Sequence, residues 1–210
     1  MNFKPQVPRS HYFSLDYDTK YRWISYWHQI SEVLKTKPKK VLEVGVGNKT
    51  VYNYLKKFGI NTIAADIDPK LRPDRVCSVT ELTKYFRRNE FDTVLCSEVL
   101  EHIPFKYFEK SLEELSNVAK SYVILSLPHF GIHLNLSLNF FPKTKRANLL
   151  ITIPFPIKHK FDWEHYWEIG KRGYSLSLVK EIISKYFTIK RTYLIPENPY
   201  HRFFILKVRK

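Results

Sequence analysis

Val41-Leu42-Glu43-Val44-Gly45-Val46-Gly47-Asn48 is an apolar run that ends in a carboxylate and two closely spaced glycines. Such a run suits a buried strand. The glycines suit a sharp turn in which the backbone approaches a bound group that any Cβ would push away. Downstream, Val51-Tyr52-Asn53-Tyr54-Leu55-Lys56-Lys57-Phe58 has helical apolar spacing, Gly59 can cap it, and Asn61-Thr62-Ile63-Ala64-Ala65 restarts an extended run. The unit reads strand, helix, strand. Asp66, with Ile67 beside it and Asp68 close by, lies about twenty residues past the glycines, where an acid accepts the hydroxyls of a ribose.

Glu43 discriminates between nucleotide ligands. The phosphates of a dinucleotide would lie against this turn and be repelled by an acid two residues before the first glycine. S-adenosyl-L-methionine brings an ammonium instead, which the same acid attracts. The expected cofactor is therefore the methyl donor, held by Glu43, Gly45, Gly47 and Asp66.

The length suits one domain with a sizeable core. The amino terminus lacks the apolar segment of a signal peptide, so the expected location is the cytoplasm. Residues 121–142 carry no Asp, Glu, Lys or Arg, but Pro128, His129, His133, Asn135 and Asn139 interrupt them, which argues against a membrane span. The net charge of +15 is uneven: residues 1–128 hold 20 Lys/Arg against 15 Asp/Glu, and 129–210 hold 15 against 5. That balance suits an acidic acceptor, a nucleic acid or an anionic membrane surface, or a solvated lysine face. Cys77 and Cys96 are too few and too far apart for a disulfide framework or a cysteine zinc site, and no metal is expected.

Tyr21, Trp23, Tyr26, Trp27, Ile30, Val33 and Leu34 recur at helical spacing, predicting an amphipathic helix whose aromatics pack on the sheet or cover the pocket. Strands are read at 74–78, 93–97 and 122–127, alternating with helices near 81–88 and 105–119. The pattern predicts an α/β, Rossmann-like doubly wound sheet. After Pro128 a long irregular segment, Phe130 to Gly173, precedes a helix near 177–186. Strands at 187–194 and 202–208 around Pro196-Glu197-Asn198-Pro199 close the sheet with an antiparallel strand. The expected organisation is a helical cover (1–38), a cofactor-binding core (39–128), an inserted lid after the fifth strand (129–174) and a closing helix with β-hairpin (175–210).

Taken together, Glu43-Val44-Gly45-Val46-Gly47, Asp66 and Phe91-Asp92-Thr93-Val94-Leu95-Cys96-Ser97-Glu98-Val99-Leu100-Glu101-His102-Ile103 resemble the motifs of class I S-adenosylmethionine-dependent methyltransferases, the last that of the ubiquinone-biosynthesis-like branch. Within the class, the stretches 22–26, 159–170 and 197–204 look like a microbial subgroup without an assigned acceptor. The resemblance implies methyl transfer, with Ser97 and Glu98 added to the donor site. The chain departs from the family at Lys49, where a third glycine is frequent, and at Ser78 beside Val79, where many members place an acid for the adenine amino group.

The sulfonium supplies the electrophile, so the protein aligns an acceptor, excludes water and, for an oxygen acceptor, removes a proton. His102 after the fourth strand and His129 after the fifth are the candidate bases, each with a structural histidine as its alternative. His165, Tyr166 and Glu168 are the candidate acceptor contacts, in a polar and aromatic stretch suited to a small-molecule or glycan-type acceptor, possibly lipid-linked. The basic and apolar residues Phe140, Phe141, Lys143, Lys145, Arg146, Leu149, Leu150 and Ile151 raise peripheral contact with an anionic membrane. A cofactor-binding protein without catalysis and a basic RNA- or membrane-binding module are the alternatives, although aromatics are not interleaved with Lys and Arg as in RNA motifs. A nicotinamide-dependent oxidoreductase is disfavoured by Glu43 and by the closing hairpin. Oligomeric state is not legible.

Overall fold

The computed structural model describes residues 3–140 and 145–209. In chain order the elements are α1 (Lys20–Lys35), β1 (Lys40–Val44), α2 (Thr50–Lys57), β2 (Asn61–Asp66), β3 (Arg75–Val76), β4 (Phe91–Ser97), α3 (Phe108–Val118) and β5 (Ala119–Pro128). The strands β6 (Ile132–Phe140) and β7 (Lys145–Ile153) follow, then α4 (Leu176–Tyr186), β8 (Phe187–Ile195) and β9 (Asn198–Val208). Seven strands form one sheet in the order β3-β2-β1-β4-β5-β9-β8. The first five run parallel, and β9 lies antiparallel between β5 and β8. This is the doubly wound sheet with an antiparallel closing strand that the sequence predicts.

Consecutive strand residues point to opposite faces, and both faces are covered, as a parallel sheet requires. Leu42, Val94, Leu125 and Phe204 pack with α3, α4 and Trp167 on one side, while Val41, Leu95, Ile124 and Phe203 pack with α1 and α2 on the other. The chain starts in the middle at β1, winds outward to β3 and returns to β4. The carboxyl ends of β1 and β4 therefore flank a topological switch point, where such sheets bind ligands.

Several expectations change. The helix read at 81–88 is a 3₁₀ stretch, Val79–Lys84, interrupted at Glu81 with φ −141°. Ser78, its N-cap, accepts from the Thr80 amide. The strand read at 74–78 contains only Arg75–Val76, because the Asp74 carboxylate is spent accepting from the Ala64 amide (2.8 Å) and the Tyr52 hydroxyl (3.2 Å). On α1, Tyr26 and Val33 are buried, but Tyr21, Trp23 and Trp27 are exposed.

The largest correction concerns the segment read as irregular. Strands β6 and β7 form a separate antiparallel ribbon, with Ile132 opposite Ile153, Leu134 opposite Ile151 and Leu136 opposite Leu149. Their side chains share one face of the ribbon and remain exposed. Phe141 and Lys143 lie outside the described residues, as do the side chains of Phe140, Lys145 and Arg146. Among the described residues no helix is long and apolar enough to cross a membrane.

Past the ribbon, Trp167 anchors the returning chain. It is fully buried, its indole N–H donates to the Leu100 and Ile103 carbonyls (3.1 Å each), and its ring meets Phe105 and Phe108 edge-on. Trp167→Ala should cost about 3–5 kcal/mol, read as a lower urea midpoint with an unchanged denaturant slope.

Candidate donor and acceptor site

A cavity of ≈ 330 Å³ opens at the switch point and falls in the usual range for ligand pockets, about 300–1,000 Å³. Glu43, Gly45, Gly47, Asp66, Ile67, Ser78, Val79, Ser97, Glu98, His102 and His165 all line it. His129, Tyr166 and Glu168 do not.

The turn after β1 is held from below. Asp66 accepts from the Val46 amide through Oδ2 (2.8 Å) and from the Asp68 amide through Oδ1 (2.9 Å), tying the loop to the end of β2. Burial pushes its carboxyl above the ordinary range, and the backbone bonds oppose that rise. Asp66 borders the cavity with lone pairs to spare for hydroxyl groups. Gly45 has φ +81°, and a Cβ there would collide with Val99 rather than fill the ligand space, so the glycine serves packing. Lys49 takes φ 66° as the N-cap of α2, which accommodates the missing third glycine.

Glu43 is buried in the cavity wall. Its Oε2 has no hydrogen-bond partner, and burial together with the Asp66 charge raises its carboxyl well above the usual range. A cationic group would relieve both penalties, so the residues present fit the ammonium of the methyl donor. At the other end, the Ser78 hydroxyl is engaged with Thr80, through Oγ1 at 2.9 Å and the amide at 3.2 Å. Adenine would meet Ile67, Cys77 and Val79 more than a free acceptor there.

Within residues 1–38, read from the sequence as a helical cover, it is mainly the stretch ahead of α1 that lines the cavity. Lys4, Pro5, Gln6, Val7, His11, Tyr12 and Tyr17 close the cavity, and among the described residues of 129–174 only Glu164 and His165 contribute. None of the described ribbon residues lines it. The cover is stitched down at two points. Asn48 donates to both Asp18 oxygens (2.8 and 3.0 Å), and Gln6 donates to the His102 carbonyl (3.1 Å). The signal in sequence was Asn48, a turn residue with a spare amide, and its acidic partner near the amino terminus.

The acceptor end gathers Glu98, His102, Glu164, His165, Tyr200 and His201. His102 Nδ1 faces the Gln6 Oε1 (2.8 Å) and the Glu164 carbonyl (2.9 Å), both acceptors, so Nδ1 carries the proton and Nε2 is bare. Burial, helped by His165, holds its pKa below the ordinary value. His165 Nδ1 donates to Glu168 Oε1 (3.1 Å), which also accepts from the Tyr200 hydroxyl (2.8 Å). Burial alone would depress His165, but the Glu168 bond and charge outweigh it and raise the pKa. Glu168 is thus a support for His165, and Tyr166, packed on Phe161 at 4.6 Å, stays outside the cavity.

Residues 42–127 match the family model described as a methyltransferase domain. That match covers less than half of the chain and marks its central part as similar to a methyltransferase domain. Over 87 residues it is 37% identical to an uncharacterized protein of Methanocaldococcus jannaschii, a match covering 39% of this chain and 36% of that protein, so the chain spans about a third of that relative's length. A structure from Pyrococcus horikoshii superposes with TM-score 0.61 at 12% identity, covering 97% of this chain and 100% of that one. The Burkholderia thailandensis 1,6-didemethyltoxoflavin-N1-methyltransferase, solved with its acceptor and S-adenosylhomocysteine, superposes with TM-score 0.60 at 15% identity, covering 96% and 87%. These likenesses carry the fold.

His129 is corrected as a candidate base. It is buried away from the cavity, its Nδ1 accepts from Arg202 Nε (2.7 Å), and burial with the Arg202 charge pushes it down to about 4. Folded His129 stays neutral while the unfolded residue titrates near its usual value of about 6.5. The stability it contributes is present above that pH and is lost as pH falls from about 6.5 toward 4. His129→Asn should therefore flatten the fall in unfolding free energy across that window, read from urea titrations, by about 2 kcal/mol. An equally steep fall in the variant would contradict the assignment.

Proposed function

We propose that the protein transfers the methyl group of S-adenosyl-L-methionine to a small polar acceptor bound beside His102 and His165. The observation that carries this reading is the unpartnered Glu43 oxygen in the cavity wall, two residues before Gly45 on β1. Glu43 holds the ammonium, Asp66 offers its free lone pairs to the ribose, and Ile67 and Val79 flank the base. Gln6, Tyr12 and Tyr17 exclude water from the sulfonium. The polar and aromatic mixture of His165, Tyr200 and His201 suits a hydroxylated acceptor, small or glycan-type.

Calorimetry with S-adenosylhomocysteine tests the donor site. The protein should bind one equivalent, and Glu43→Gln should bind at least about tenfold more weakly without losing stability, since it removes a buried carboxylate. Equal affinity in the variant would place the donor elsewhere. Binding without transfer of a labelled methyl group to any acceptor in a metabolite and lipid extract would favour a non-catalytic donor-binding protein.

The β6–β7 ribbon favours the lipid-linked version of the acceptor. Its aligned aliphatic face, next to the basic residues of the 143–146 sequence, matches an anionic bilayer surface. Replacing Leu134, Leu136 and Ile151 together by serine should abolish co-sedimentation with phosphatidylglycerol vesicles while leaving S-adenosylhomocysteine affinity unchanged. Undiminished co-sedimentation would remove the ribbon from that role.

A further inference from the structure

Glu101, His102 and His165 converge beneath the acceptor end of the cavity. Glu101 follows β4 in the short Leu100–His102 turn; its side chain is fully buried, beside the Glu98 carboxyl, and among the described residues no cationic or neutral side-chain donor reaches either of its oxygens. His102 Nε2 stands 4.0 Å from Glu101 Oε1, and the two imidazoles meet edge-to-face at 5.0 Å. One ligand atom from each of the three residues lies within 4.8 Å of the others. A carboxylate sequestered in this way is expensive unless something positive completes it.

The two rings are already oriented as metal ligands are. His102 Nδ1 is tied to the Glu164 carbonyl and Gln6, and His165 Nδ1 to Glu168, so both Nε2 lone pairs are available. Metal-bound histidines are fixed by such bonds on the other ring nitrogen. The neighbouring group Asp162, His165 and Glu168 competes poorly. Asp162 Oδ1 accepts the Glu164 and His165 amides, and Glu168 Oε1 is occupied by Tyr200 and His165.

We propose that Glu101, His102 and His165 bind a divalent first-row transition-metal ion. Bonds of about 2.0–2.2 Å set ligand atoms roughly 3–3.5 Å apart, so the three side chains need close by only about 1 Å. Two nitrogens and one carboxylate oxygen select such an ion over Mg²⁺ or Ca²⁺. Three protein ligands leave open positions facing the cavity, whose wall includes both histidines. Resting on the methyl-transfer reading, this assigns the acceptor class: a compound with two adjacent oxygens, one a hydroxyl, such as a catechol or a vicinal diol. The hydroxyl proton passes to water as its oxygen joins the ion. That oxygen then attacks the methyl carbon, the O–C bond forms as the C–S bond breaks, and the electron pair stays on sulfur as the neutral thioether.

The test titrates metal-free protein with Zn²⁺ by calorimetry and with Co²⁺ by its d–d absorption, measuring S-adenosylhomocysteine binding on the same samples. One equivalent of each ion should bind, Glu101→Gln and His165→Asn should each weaken binding at least about tenfold, and Asp162→Asn should leave it within threefold. Should His165→Asn fail to fold, Glu101→Gln carries the test, since it exchanges one buried oxygen for an amide. No stoichiometric ion binding, or full binding by Glu101→Gln, overturns the site even where the donor binds normally. Ion binding in a protein that ignores S-adenosylhomocysteine overturns the donor reading and leaves the metal site standing.

Discussion

A carboxylate at 5% exposure with an unpartnered oxygen is the constraint on which this architecture turns. Glu43 sits on β1, between β2 and β4 in the sheet, flanked by Leu42 and Val44, where an aliphatic residue would stabilise the apo fold better. After burial itself, the Asp66 charge adds to the cost of ionising it. Asp66 offsets its burial with two backbone amides, and those bonds fix the glycine loop. Among the described residues, Glu43 Oε2 has no such compensation. A cation bound there would relieve that cost, and Glu43 and Asp66 both line the cavity.

Around that pair the fold supplies enclosure. The amino-terminal segment carries little core of its own, yet Tyr12 packs with Val46, Tyr52, Ala64 and Leu71. Tyr12 and Tyr17 stand 3.6 Å from where a Cβ on Gly47 would be, so that glycine lets the cover lie directly on the loop. Hydrogen bonds from Asn48 to Asp18 and from Gln6 to His102 then join cover, loop and acceptor end into one connected unit. A segment held by a few polar bonds and one small aromatic cluster is at the low-stability end of a structure, which suits a cover that must admit its ligand.

The parallel sheet and its closing strand were legible because buried strands here are continuous apolar runs, each bounded by glycine, proline or acid. The grouping of Glu43, Gly45 and Asp66 around one cavity was legible because they lie within one local unit. Residues whose roles depend on distant contacts were harder to read. His129 reads as a base by its position after β5, but Arg202, 73 residues away, claims its nitrogen. Glu168 reads as an acceptor contact, but Tyr200 from the closing hairpin holds it as a support. The β6–β7 ribbon is a different kind of miss. Ile132-His133-Leu134-Asn135-Leu136-Ser137-Leu138 alternates with period two, the mark of a strand, and its polar positions were instead read as interruptions. A cover over residues 1–38 was expected from the helical spacing of α1, but the stretch ahead of α1 that lines the cavity, with Gln6, Tyr12 and Tyr17, has no periodicity to mark it.

The central claim is that Glu43 and Asp66 together receive the amino-acid and ribose ends of one ligand. A crystal structure of the protein with S-adenosylhomocysteine tests it most directly. The account predicts density in the cavity with the ligand ammonium within hydrogen-bond distance of Glu43 Oε2 and the ribose hydroxyls against Asp66. A ligand bound with its ammonium away from Glu43, or outside the cavity under the Gln6–Tyr17 cover, would contradict it.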